Sequence, residues 1–176
     1  DPTADDHVEA RCAIQASIDM QKALQKFNEM QAKQGNPPIY NGVGIHSGYT
    51  IIGTVGSEER MDSTVLGDTV NVASRLEGLT KIFGVKIIIS GDTMDLMRDD
   101  GSDFNYRQLD YVKVKGKTEP TKIYEVYDCD SPEVQELKSK TAPIILEGLK
   151  HRGEQDWTMA LFQFRKALEI YPDDKT

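Results

Sequence analysis

The chain has 176 residues, 38% of them hydrophobic, and a formal net charge of −8 from 21 Lys+Arg against 29 Asp+Glu. That is enough apolar material for a packed core and enough length for one full domain with an appendage. The acidic balance excludes a broad basic face for nucleic acid, while leaving room for a local pocket that takes one polyanionic small molecule. Only two cysteines occur, Cys12 and Cys129, so neither a disulfide framework nor a cysteine zinc site is readable. No apolar run approaches the ~20 residues needed to span a bilayer, and no basic-then-apolar segment opens the chain. A soluble, cytoplasmic chain from a reducing compartment is expected. Asp1-Pro2-Thr3-Ala4-Asp5-Asp6 contains no Met and runs straight into a helix. The sequence reads as cut from a longer parent, whose upstream part has room for a membrane anchor.

From Asp5 to about Lys33 there is no Pro or Gly, and Val8, Cys12, Ala16, Met20, Leu24 and Phe27 recur at helical spacing. These residues predict a helix with that stripe as its apolar face, capped by Asp5 or Asp6 and stopped by Gly35-Asn36-Pro37-Pro38. Ile39–Ile45 and Tyr49–Val55 read as two strands of a hairpin turning at His46-Ser47-Gly48, followed by a polar loop from Gly56 to Thr64. Gly67-Asp68 opens a second helix with Val72, Leu76, Leu79 and Phe83 at helical spacing, ending near Gly84. Val85–Ser90 predicts a buried strand, Asp92–Met97 a short helix, and Tyr106–Val114 with Thr121–Val126 another hairpin. The expected fold is therefore α+β. Residues 1–127 form the main unit, polar residues 128–140 around Pro132 a linker, and residues 141–176 a helical tail broken near His151–Asp156.

The most informative block is Gly44-Ile45-His46-Ser47-Gly48, then Gly53-Thr54-Val55-Gly56, Arg60, and Thr64-Val65-Leu66-Gly67-Asp68-Thr69-Val70-Asn71-Val72-Ala73-Ser74-Arg75-Leu76-Glu77. Asn71 and Arg75 stand four apart, so they share one helix face. A neutral amide beside a fixed cation suits a phosphoryl group passing through a charged transition state. An Asn capping a neighbouring element and an Arg in a surface salt bridge with Glu77 or another acid are the plainer description of the same residues, since exposed helical Arg is common. The glycines form no P-loop, because no Gly-Lys-Ser/Thr follows them at the required spacing. His7, His46 and His151 lack ligand-like spacing.

The block resembles the second half of the catalytic domain of class III nucleotide cyclases, the adenylate and guanylate cyclases, over about Asp5 to Val126. The resemblance implies a ferredoxin-like antiparallel sheet with helices on one face and the leading strands missing. It implies attack of the ribose 3′-hydroxyl of a nucleoside triphosphate on its own α-phosphorus, in a homodimer whose sites draw on both chains. Asn71 then falls where the ribose is oriented and Arg75 where charge at the α-phosphate is stabilised. Thr64 falls at the base-reading position, and Lys115 where the terminal phosphates are neutralised. The two aspartates that hold Mg2+ or Mn2+ in this family belong upstream of this chain, so the chain alone is expected to be inactive. Thr64 both donates and accepts, and within the family it is similar to bacterial-type adenylate cyclases, which favours ATP over GTP. A guanylate cyclase and a catalytically silent regulatory module are the alternatives.

The tail carries a second resemblance. Gly148, Ala160, Phe164, Ala167 and Pro172 match the spacing of one tetratricopeptide repeat, with His151 and Glu147 as departures. A single repeat cannot bury its own faces. The resemblance therefore implies either further repeats or a protein partner for the tail.

Overall fold

Ile87-Ile88-Ile89-Ser90 is buried at every position, the mark of a strand covered on both faces. The computed structural model describes residues 6–57, 60–97, 104–113 and 120–176. Its elements, in chain order, are α1 (Asp6–Lys33), β1 (Val43–Ile45), β2 (Ile51–Ser57), β3 (Arg60–Leu66), α2 (Asp68–Phe83) and β4 (Ile87–Ser90), followed by α3 (Gly91–Met97), β5 (Tyr106–Val112), β6 (Thr121–Val126), α4 (Pro132–Gly153) and α5 (Trp157–Ile170). The four-stranded sheet runs β1-β4-β6-β5, and β2 with β3 forms a separate ribbon.

The α+β class holds, with three differences in arrangement. The sheet is mixed, because β1 runs parallel to β4 while β4–β6 and β5–β6 are antiparallel. Helices cover both faces instead of one. Ile14 and Ile18 of α1 and Met94 and Met97 of α3 pack with Ile87 and Ile89, whereas Val72 and Leu76 of α2 pack with Ile88 and Ile123. Successive strand residues point to opposite faces, so an unbroken Ile run serves both layers. Finally, β1 does not pair with β2. The ribbon partner of β2 is β3, lying in the segment expected as a loop.

Helix α1 spans the expected residues but buries a different face. Ala10, Ile14, Ser17, Ile18 and Gln21 are buried, while Val8 is 54% exposed and Cys12, Ala16, Met20 and Phe27 also face outward. The helix carries two apolar stripes, and the one with the branched side chains meets the sheet. The expected linker is also largely helical. Pro132 stands in the first turn of α4, where its missing N–H costs nothing, and the Ser131 side chain accepts from the Val134 N–H. Pro143 lies inside α4, so the helix runs through the expected boundary between linker and tail.

Helix α2 is held close to β1. A Cβ on Gly44 would stand 2.3 Å from the Glu77 backbone nitrogen and 2.4 Å from the Ala73 carbonyl oxygen. Only glycine allows this approach. At the other end Gly84 terminates α2 in a left-handed conformation, φ 66°, with its N–H on the Thr80 carbonyl.

Charged side chains link the tail helices to the sheet in one alternating series. Lys86 contacts Asp130 at 2.8 Å, Asp130 contacts Lys138 of α4 at 2.6 Å, and Lys138 contacts Glu125 of β6. Glu125 accepts from Arg107 Nε of β5 at 2.7 Å, and both terminal nitrogens of Arg107 donate to Asp174, beyond α5. Burial alone would raise the pKa values of Asp130 and Asp174. Lys138 and Lys86 at the first, and Arg107 at the second, outweigh it and hold both below the ordinary carboxylate range.

Two predictions follow from these contacts. Gly44→Ala should destabilise the chain by about 2 kcal/mol or more through overpacking against backbone. Gly78→Ala, in the same helix with nothing within 4 Å of the added carbon, should stabilise it by ~0.5–1 kcal/mol. Urea titrations of both variants decide this, and equal effects would contradict it. Depressed carboxylates stabilise fully above their unfolded pKa of ~3.9 and lose that contribution as pH falls through the lower folded values. The denaturation midpoint should therefore stay level from neutrality to about pH 5 and fall below about pH 4. A fall beginning above about pH 6 would point to histidine instead.

Candidate active site

Three of the four candidate residues, Thr64, Asn71 and Arg75, lie on one continuous unit, β3–Gly67–α2. Thr64 is placed by register on β3, opposite Gly53 of β2. One residue separates β3 from α2, whose inner face buries Val72, Leu76 and Thr80. Packing that face turns the opposite one outward, where Asn71, Arg75 and Gly78 are exposed and Ile82 is 71% exposed. Among the described residues, Asn71 makes no side-chain hydrogen bond and Arg75 no ion pair. The capping and Glu77-pairing alternatives are therefore not what these side chains do here. Lys115 lies outside the described residues, between β5 and β6 in sequence.

The start of α2 is held as firmly as its end. Thr69 Oγ1 donates to the Tyr49 carbonyl at 2.7 Å, tying the first turn to the segment after β1. Gly44 controls the middle and Gly84 the end. With three attachments along one side, the outward residues have fixed positions, as preorganised electrostatic stabilisation requires. At the end of the ribbon next to Gly67, Ile51 is 72% and Ile52 77% exposed and Val65 is exposed, as is Tyr49 just before β2.

A cleft of about 610 Å³ opens beside the first turn of α2, between the start of α1, the segment after β1, and α3. His46 and Ser47 of its lining belong to a hydroxyl–imidazole cluster. His46 Nδ1 lies 2.8 Å from Ser90 Oγ and 3.7 Å from Asp92 Oδ2, and Thr93 Oγ1 lies 3.1 Å from both Ser47 Oγ and Ser90 Oγ. Nothing local in the sequence marks this cluster, since its members are brought together by parallel β1–β4 pairing. Asp6, Glu9 and Asp92 line the cleft, so by itself it repels a triphosphate. Among the described residues, no three His, Cys, Asp or Glu side chains converge to hold a metal ion. These residues do not fit a divalent cation on their own. Cys129 is buried, and burial with neighbouring Asp130 pushes its thiol up to about 11, so little of it is thiolate at neutral pH. No helix among the described residues is long and apolar enough to cross a membrane.

A family model described as the adenylate and guanylate cyclase catalytic domain matches residues 3–127. The chain belongs to that family. It is 37% identical over 174 residues to the terminal-differentiation specific adenylate cyclase of Dictyostelium discoideum, a match covering 99% of this chain and 8% of that protein. That similarity runs through the tail helices as well as the sheet. An adenylate cyclase of Anabaena cylindrica is 50% identical over 120 residues, covering 65% of this chain and 24% of its own length. The chain thus spans a minor part of both relatives. Among solved structures, the adenylyl cyclase CyaB from P. aeruginosa matches with TM-score 0.57 and 32% identity, over 68% of this chain and 59% of that one. A guanylyl cyclase matches with TM-score 0.55 and 30% identity, over 70% of this chain and 60% of that one.

Proposed function

We propose that this chain is the nucleotide-facing part of an adenylate cyclase, a lyase that converts ATP to 3′,5′-cyclic AMP and pyrophosphate in signal transduction. The observation that carries the reading is the outward pair Asn71 and Arg75, one turn apart on a helix pinned at its start, middle and end. The ribose 3′-oxygen forms a bond to the α-phosphorus and gives up its proton to water, from which the leaving pyrophosphate takes one up. The bond from that phosphorus to the bridging oxygen breaks, and pyrophosphate leaves. Asn71 orients the ribose, and Arg75 meets the negative charge that grows on the α-phosphate oxygens. Thr64 reads the base, and Lys115 neutralises the departing phosphates. Mg2+ or Mn2+, held by aspartates outside this chain, supplies further charge neutralisation when bound.

The site faces outward, so a second surface is needed to enclose the nucleotide. We place that surface on a second copy of the domain. The exposed Ile51, Ile52, Val65 and Ile82 beside the site support this reading, because they leave apolar surface to be covered. A cytoplasmic location accords with a nucleoside triphosphate substrate. For the tail we propose a tetratricopeptide-like unit that meets a protein partner. Gly148 supports this, since a Cβ there would stand 2.6 Å from Phe164 Cε1, so the two helices meet where the repeat pattern puts its small residue. The similarity to a guanylyl cyclase structure supports GTP as the second reading.

In a longer protein that turns over ATP, Arg75→Ala should lower kcat about a hundredfold and change KM little, because the lost interaction is strongest in the transition state. The 176-residue chain should give no turnover in parallel assays with either cation. An unchanged kcat would reduce Arg75 to a surface charge, and a higher kcat/KM for GTP than for ATP would reverse the substrate assignment.

A further inference from the structure

The tail is not merely attached after the catalytic unit; its last residues return to it. Asp174 holds both terminal nitrogens of Arg107, a β5 side chain only 1% exposed, while Arg107 Nε is held by its cross-strand partner Glu125. The next residue, Lys175, lays its aliphatic stem over Gly84, where an added Cβ would meet Lys175 Cδ at 2.8 Å. Consecutive residues 174 and 175 therefore touch β5 and the end of α2. A third tie joins Arg152, in the last turn of α4, to Asp110 at the register irregularity of β5.

These contacts cannot slide by degrees. Arg107 and Glu125 lie inside the protein, and withdrawing Asp174 leaves a buried guanidinium without half of its partners. The segment is either seated or released with water admitted, which is the discrete element that coupling between distant regions requires. The candidate site is reached through α2, which carries Asn71 and Arg75 and ends at the Gly84 that Lys175 covers.

We propose that α4, α5 and residues 171–176 form a control element of the cyclase domain. Seated, Asp174 and Lys175 hold β5 and α2 in the competent arrangement; a ligand or protein that draws the helices away releases both together. The catalytic part of this proposal rests on the reading of α2 as nucleotide-facing. Its mechanical part does not.

The test compares Asp174→Asn with Asp173→Asn, an exposed neighbour that enters none of these contacts, by hydrogen exchange on the 176-residue chain. Asp174→Asn should speed exchange at least about tenfold in β5, β6 and the last turn of α2, while Asp173→Asn leaves those amides unchanged. Faster exchange confined to α4, α5 and residues 171–176 would overturn the proposal. If Asp174→Asn does not fold, Thr176→Ala is used instead, because Thr176 Oγ1 donates to Asp174 Oδ1 at 2.8 Å and its loss loosens the clamp with the charge kept. It should speed exchange at the same amides by a smaller factor, and no change there would also overturn the proposal. In a longer protein with cyclase turnover, Asp174→Asn should lower kcat several-fold relative to Asp173→Asn, and an equal kcat would refute the control role. Absence of turnover in the unsubstituted longer protein would defeat the cyclase reading alone, since exchange still decides the clamp.

Discussion

The approach of α2 to β1 at Gly44 is the constraint on which the site depends. Two backbone segments meet there at a distance that excludes even a methyl group. The contact fixes which side of α2 is inward, and Val72, Leu76 and Thr80 fill that side. The outward position of Asn71 and Arg75 is then a geometric consequence, since residues on the opposite side of a packed helix must face away. Burial of β4 on both faces completes the frame, because α2 cannot shift without disturbing Ile88 and Ile123 beneath it.

What the sequence disclosed follows the physics of each element. Helix α2 was legible from Gly67-Asp68 through Gly84 because its inner face, its first turn and its glycine stop all agree. The α+β class was legible for similar reasons. The ribbon strand β3 was not, because Arg60, Asp62, Ser63 and Thr64 have no apolar alternation to report. In α1 the spacing of apolar residues was real, but two stripes satisfy it, and only the tertiary partner selects Ile14 and Ile18. The two prolines of α4 show the same limit. Pro132 starts the helix and Pro143 lies within it, and neither position can be told from the residue alone. The outward pair Asn71 and Arg75 was legible as a pair. The cluster of His46, Ser47, Ser90 and Thr93 was not, since strand pairing creates it.

The alternating series from Lys86 to Asp174 explains how an acidic chain joins two differently built parts. Its cations and carboxylates balance, so each interior member meets opposite charge on two sides. Burying such groups contributes little net stability beside an apolar core, but removing one member is costly. The series therefore specifies where α4 and the chain end must sit more than it strengthens the fold. Apolar packing between α4 and α5, around Ile145, Leu149, Phe164 and Ala167, holds the helical pair together internally.

In the proposed cyclase α2 presents one half of a site whose other half comes from a partner chain, and complementation tests this most directly. One otherwise full-length subunit would lack the aspartates proposed to bind the metal but keep Asn71 and Arg75. The other would keep those aspartates and carry Asn71→Ala and Arg75→Ala. Each alone should be nearly inactive, and the mixed dimer should recover one working site. Recovery of cyclic AMP formation on mixing is the predicted result. No recovery, with the mixed dimer isolated by two different tags, would show that both halves of the site belong to the same chain.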